Sequence, residues 1–103
     1  MRIIKKTRLK DYWTAYPKAK SPLEHWHDVT AKAIWKKFDD VKRTFSSTDC
    51  VQVKSGRKVV VFNIGGNNYR LISAIHYRYT KIVYVLRFMT HKEYDSNKWK
   101  EEL

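Results

Sequence analysis

The side chains in this sequence that can move protons or hold an anion gather in its C-terminal half. His91 carries an imidazole that titrates near neutrality, so it can take a proton from a reacting oxygen or return one; a plain surface histidine is the simpler alternative. Tyr94 and Asp95 follow within one helical turn. Arg70 and Arg87 sit in β-branched, apolar stretches, where a charge at a sheet edge wants an anion. For Arg87 the alternatives are an ion pair with a helix acid such as Asp28, or reaching out to solvent. Lys54, Arg57 and Lys58 surround a glycine turn, and Lys92 adjoins His91. One reaction suits this set. RNA brings its own nucleophile, the 2′-hydroxyl, so an enzyme need only remove that proton, stabilise the crowded phosphate and protonate the leaving 5′-oxygen. His, Tyr and Lys exchange protons, Arg and Lys neutralise the developing charge, and no metal or other cofactor is expected.

The charge balance supports an anionic partner. The chain has 103 residues with 22 Lys+Arg against 10 Asp+Glu, a formal net charge of +12. From Asp49 to Glu93 no further acid occurs, while eight basic residues do; the rest of the chain carries fourteen basic residues against ten acidic ones. A folded basic face of this kind attracts polyanions, most often nucleic acid, by counterion release and steering. Simple solubility, or an acidic protein partner, is the alternative. Other chemistries lack their parts. There is no phosphate-binding loop of the Walker kind, and Gly65-Gly66 reads as a hairpin turn. The strand segment has no carboxylates to hold a catalytic metal. Cys50 is the only cysteine and has no activating motif, so it reads as a buried or loop thiol in a reducing, cytoplasmic setting. No apolar run is long enough to span a membrane, and Met1 to Lys6 does not look like a secretory leader.

The elements that must position these groups follow from periodicity. At 103 residues one domain is expected, spanning 1–103. Arg2 to Lys6 reads as a short strand. Leu9, Tyr12, Trp13 and Tyr16 recur at helical steps, with Thr7 as the expected cap and Pro17 as the stop. Ser21-Pro22-Leu23-Glu24 reads as a second helix start with a capping box. Leu23, Trp26, Thr30 and Ile34 mark the face of that helix, which should run to about Lys37 or Phe38. Asp39-Asp40 then breaks the pattern, and Val41 to Thr48 is expected to be irregular, pinned by Phe45. Four strands follow: Val51–Val53, Lys58–Ile64, Tyr69–Tyr77 and Lys81–Met89, in a mainly antiparallel meander. Strict alternation on the last strand puts Lys81, Val83, Val85, Arg87 and Met89 on one face. His91 to Leu103 reads as one helical turn and a frayed tail. The fold class is α+β.

Two segments resemble a known family. Val61-Phe62-Asn63-Ile64-Gly65-Gly66-Asn67-Asn68-Tyr69-Arg70-Leu71 resembles the glycine-turn motif of HigB-type toxins, and Phe88-Met89-Thr90-His91-Lys92-Glu93-Tyr94-Asp95 resembles their C-terminal motif. Tyr16-Pro17 and the helix pair before the sheet fit the same layout. The resemblance spans nearly the whole chain. It implies a RelE-like fold, two N-terminal helices packed on a mainly antiparallel sheet. It also implies an mRNA endoribonuclease that acts on the translating ribosome and is neutralised by a helix-turn-helix antitoxin, HigA. By matched position it implies phosphate stabilisation for Arg70 and general acid or base work for His91. Tyr94 would stack on a base or position the phosphate, and Asn67 would hold the hairpin. Lys58 is placed with the catalytic groups, and Lys54, Arg57, Arg87 and Lys92 with RNA binding, on charge alone. The competing readings are a non-catalytic RNA- or ribosome-binding module with the same basic sheet face, and a domain that meets an acidic protein.

Overall fold

A computed structural model describes residues 1–103. In chain order the elements are β1 (Arg2–Ile4), α1 (Thr7–Ala15), a 3-10 turn (Pro17–Ala19), α2 (Lys20–Lys32), α3 (Phe38–Thr44), β2 (Thr48–Gln52), β3 (Lys58–Ile64), β4 (Tyr69–His76), β5 (Ile82–Thr90), α4 (His91–Asp95) and α5 (Lys98–Glu102). One five-stranded sheet has the order β1-β5-β4-β3-β2. β2 to β5 form the antiparallel meander, and β1 adds to β5 in parallel. This is the α+β, RelE-like arrangement expected. No helix is long and apolar enough to cross a membrane.

The sheet has two cores. The helices cover one face: Leu9, Leu23, Trp26, Trp35 and Val41 pack on Val60, Phe62, Ile64, Leu71, Val83 and Val85. Phe45 does pin its segment there, with its ring 5.5 Å from Phe62 and 6.2 Å from Trp35. The opposite face carries a smaller core of Val53, Val59, Val61, Ile72, Met89 and Trp99. Trp99 comes from α5, so the C-terminal segment is a working part of the fold.

Alternation on β5 is interrupted. The register passes from Ile72↔Arg87 to Ser73↔Val85, leaving Leu86 as an extra, bulged residue. Val83 and Val85 therefore face the helices, while Met89 joins the second core. The Arg8 guanidinium donates to the Val85 and Leu86 carbonyls at 3.1 and 3.2 Å.

The expected boundaries change in several places, among them β2, which runs Thr48–Gln52 rather than Val51–Val53. Lys6, not Thr7, is the N-cap of α1, and no side chain caps it. Ser21 does not cap α2, because the 3-10 turn runs directly into Lys20. Pro22 is tolerated as the third helical residue, since that N–H would have no intrahelical partner. α2 stops at Lys32; Ala33 is extended, which lets Trp35 turn back into the core and leaves Ile34 70% exposed. The acids at Asp39 and Asp40 open a helix rather than end one. They fill the first turn of α3, Lys42 and Arg43 fill its last turn, and both suit the helix dipole. The C-terminal tail is two short helices with a buried Trp99, not a frayed end. Cys50 is exposed on β2 rather than buried or in a loop.

Candidate functional site

The site forms where β4 begins and β5 ends. The β3–β4 turn needs two left-handed residues, and Gly65 and Gly66 supply them at φ 63° and 68°. The turn brings the chain back so that Arg70 lies opposite Asn63 on β3 and Met89 on β5. The His91 amide then donates to the Asn68 carbonyl at 3.0 Å, which ties the exit of β5 to the turn. α4 is started by a capping box. Thr90 Oγ1 accepts from the Glu93 amide at 3.2 Å, and Glu93 Oε1 accepts from the Thr90 amide at 3.1 Å. This fixes the first turn of α4 with His91 over Arg70.

Arg70 is 7% exposed and is the centre of the cluster. Its Nη1 donates to the Asn67 and Tyr69 carbonyls, both at 3.1 Å. Its Nη2 donates to Asn67 Oδ1 and, at 3.0 Å, to His91 Nδ1. A guanidinium has no acceptor, so His91 Nδ1 must be the unprotonated ring nitrogen. The proton then sits on Nε2, which lies 3.2 Å from Asp95 Oδ2. The imidazole is thus held in one tautomer between a cation and a carboxylate.

Arg70 itself has no such carboxylate. The ion pairs of the chain are His27–Asp28, Lys37–Asp39, Arg43–Asp40, Arg87–Glu102 and His91–Asp95. A buried cation without a counter-charge is costly and attracts an anion.

Tyr94 completes the cluster. Its ring lies 5.5 Å from Arg70 Cζ and stacks on Trp99 with centroids 5.2 Å apart. Trp99 Nε1 donates to the Tyr94 carbonyl at 3.0 Å, which locks the pair. Burial pushes the Tyr94 phenol above its usual range, with Asp49 and Asp95 adding and Arg70 opposing. The phenol therefore keeps its proton at neutral pH.

The structure brings together Arg70, His91, Tyr94 and Asn67, and separates the rest. Arg87 pairs with Glu102 of α5; Asp28, the acid considered for it, sits beside His27 instead. Arg87 and Lys92 share a groove of about 490 Å³ with Glu93, Ser96, Lys98 and Trp99, and neither Arg70 nor His91 lines it. Lys54, Arg57 and Lys58 are exposed at the far end of β3. Lys58 is five positions along β3 from Asn63, which is roughly 16 Å. By alternation with Val59 and Val60 it also points to the other face. Lys58 is therefore not beside His91.

Sequence reading missed Trp99 and named Asp95 without its pairing to His91. Asp95 as the partner of His91 was visible in their i,i+4 spacing. Trp99 had only the weak signal of one large aromatic in a polar tail.

Fold and comparison meet on a class, the RelE-like toxins. A family model described as HigB_toxin, RelE-like toxic component of a toxin-antitoxin system, matches residues 19–97. The chain is 37% identical over 95 residues to the mRNA interferase toxin HigB of Escherichia coli K12, covering 92% of this chain and 88% of that protein. The same figures hold for the mRNA interferase HigB of Escherichia coli O157:H7 and of Shigella flexneri. The chain belongs to the HigB toxin family.

Proposed function

We propose that the chain is an mRNA endoribonuclease that acts on the translating ribosome and is held inactive by a cognate antitoxin of the HigA helix-turn-helix kind. The observation that carries the reading is the buried, unpaired guanidinium of Arg70 in contact with the His91 imidazole. The names of the relatives and the basic charge support mRNA as the anion.

The scissile phosphate enters beside Arg70 and takes over the Nη2 proton now given to His91. That frees His91 Nδ1 to accept the proton of the adjacent 2′-hydroxyl. Asp95, at Nε2, stabilises the imidazolium that forms. The 2′-oxygen bonds to phosphorus and the bond to the 5′-oxygen breaks. The Tyr94 phenol gives its proton to that oxygen, and the nearby Arg70 charge eases the phenolate. Both groups reset by proton exchange with water. The products are a 2′,3′-cyclic phosphate and a 5′-hydroxyl. Arg87 and Lys92, in their own groove, hold the RNA backbone beyond the reacting phosphate. Lys54, Arg57 and Lys58 act on a more distant stretch of it, and Asn67 keeps Arg70 aimed.

The test is expression in a translating extract, with mRNA 5′ ends mapped and their chemistry determined. New 5′-hydroxyl ends are expected, and Arg70→Ala and His91→Ala should each abolish them. Ends produced at the wild-type rate by both variants would overturn the assignment. Ribosome binding by the wild type without new ends would favour a non-catalytic module.

A further inference from the structure

The other end of the sheet carries a second feature that the site above does not use. Tyr79, in the turn between β4 and β5, is 97% exposed, a level unusual for a large aromatic ring. Its backbone is left-handed, at φ 57°, and Lys81 in the same turn is at φ 48°. The β2–β3 and β3–β4 turns use Gly56, Gly65 and Gly66 for such positions. Here, as at Lys5 and Asn97, the chain accepts the left-handed backbone with non-glycine side chains, a strain that clusters at functional sites.

The surroundings are cationic. Tyr79 borders an open groove of about 520 Å³ with Lys36, Lys37, His76 and Arg78. The acids nearby are accounted for: Asp39 lies 3.8 Å from Lys37, and Asp40 accepts from the Lys36 amide and pairs with Arg43. The Lys36 and Arg78 side chains have no carboxylate partner. From Arg70 to His76 is six strand steps, roughly 20 Å. The groove is thus too distant to grip the phosphate at Arg70.

We propose that this groove is a second RNA-contact site, in which Tyr79 stacks on an unpaired base and Arg78 and Lys36 hold the flanking phosphates. It rests on the reading that RNA is the target, and adds where a strand is held away from the cut. An exposed ring with cations at its rim is the combination that binds single-stranded nucleic acid without demanding a sequence. An acidic protein would use the same cations and bury the same ring, so loss of antitoxin binding alone is made an outcome of the test.

The test is fluorescence anisotropy with a labelled 2′-O-methyl oligoribonucleotide, which offers bases and phosphates but no nucleophile. Tyr79→Ala should weaken binding about fivefold or more, and Tyr79→Phe should retain it. Arg78→Ala should lower the slope of log K against log salt by about 0.7 in magnitude. The proposal is overturned if wild-type protein does not bind the strand, or if Tyr79→Ala binds it as wild type does. It is equally overturned if these variants weaken only the complex with the antitoxin. Because the probe cannot be cut, failure here leaves the cleavage reading standing, and failure of cleavage leaves this binding measurable.

Discussion

Replacing Arg70 by methionine should separate the needs of the fold from those of the reaction. Arg70 is 7% exposed, its four η protons go to Asn67, Tyr69 and His91, and no carboxylate neutralises it. Methionine keeps a straight stem between Asn63 and Met89 but removes the charge. A hydrogen bond from a charged donor contributes about 1.5–3 kcal/mol. Asn67 is exposed and His91 half-buried, so water replaces much of what they lose. Against that loss stands the several kcal/mol spent in holding an unpaired ion out of water, which the variant regains. The two nearly offset, and we expect stability to change by no more than about 1 kcal/mol, a Tm shift within about 8 °C. The reaction has no such compensation. Losing one preorganised donor at a developing charge typically costs about 10²–10³ in rate, so cleavage should fall at least 100-fold. Circular dichroism melting and mRNA cleavage in a purified translation system measure the two sides. A melting temperature lowered by 20 °C would make Arg70 a structural residue. Cleavage within threefold of wild type would remove it from the reaction.

Trp99→Ala should cost about 3–5 kcal/mol, because Trp99 fills the smaller core and leaves a cavity under Tyr94; urea unfolding gives the value, and a loss below 1 kcal/mol would show that α5 does not hold the second face. Tyr77 responds to alkali. Burial pushes its phenol from 10.0 up to about 12, so the folded state binds the proton more tightly than the unfolded chain. Its contribution is complete below pH 10 and is lost as the pH rises to 12. Tyr77→Phe should therefore flatten the fall in urea midpoint between pH 9.5 and 11.5, and an unchanged fall would refute the assignment.

Much of this architecture was legible because period and turn chemistry agreed. Leu9, Tyr12, Trp13 and Tyr16 repeat at helical spacing, and Gly56 and Gly65-Gly66 mark two hairpins, so the order of β1, α1, α2 and the four meander strands followed, while α3 and α5 did not. The boundaries failed where local signals were outweighed. Ser21-Pro22-Leu23-Glu24 has the residues of a capping box, but the 3-10 turn before it leaves Ser21 inside the helix. Asp39-Asp40 looks like a break by propensity and acts as a start by dipole. At the site, Arg70 and His91 were legible as residue types within matching motifs. Their contact was not, because it depends on two strands meeting across a separation of 21 residues. Lys58 was grouped with them on charge alone, and charge carries no information about which end or face of a strand a side chain occupies.

The bulge at Leu86 explains how one strand serves both cores. Unbroken alternation would place Arg87 and Met89 with Val83 and Val85 against the helices, and Phe88 on the opposite face. Phe88 instead packs under Tyr12, Tyr16 and Tyr69, with ring centroids 5.1, 5.9 and 5.2 Å away. That apolar stack anchors the end of β5 on the helix side, so Met89 must turn to the other face and the chain leaves into α4 there. The extra residue breaks the ladder at Val85 and Leu86, and their carbonyls are met by Arg8 from α1 rather than left to the sheet. A helix on one face thus supports an irregularity whose result is felt on the other, where it determines the direction in which His91 approaches Arg70. The functional pair is positioned by the difference in facing between the two halves of β5, and that difference is set by a single inserted residue.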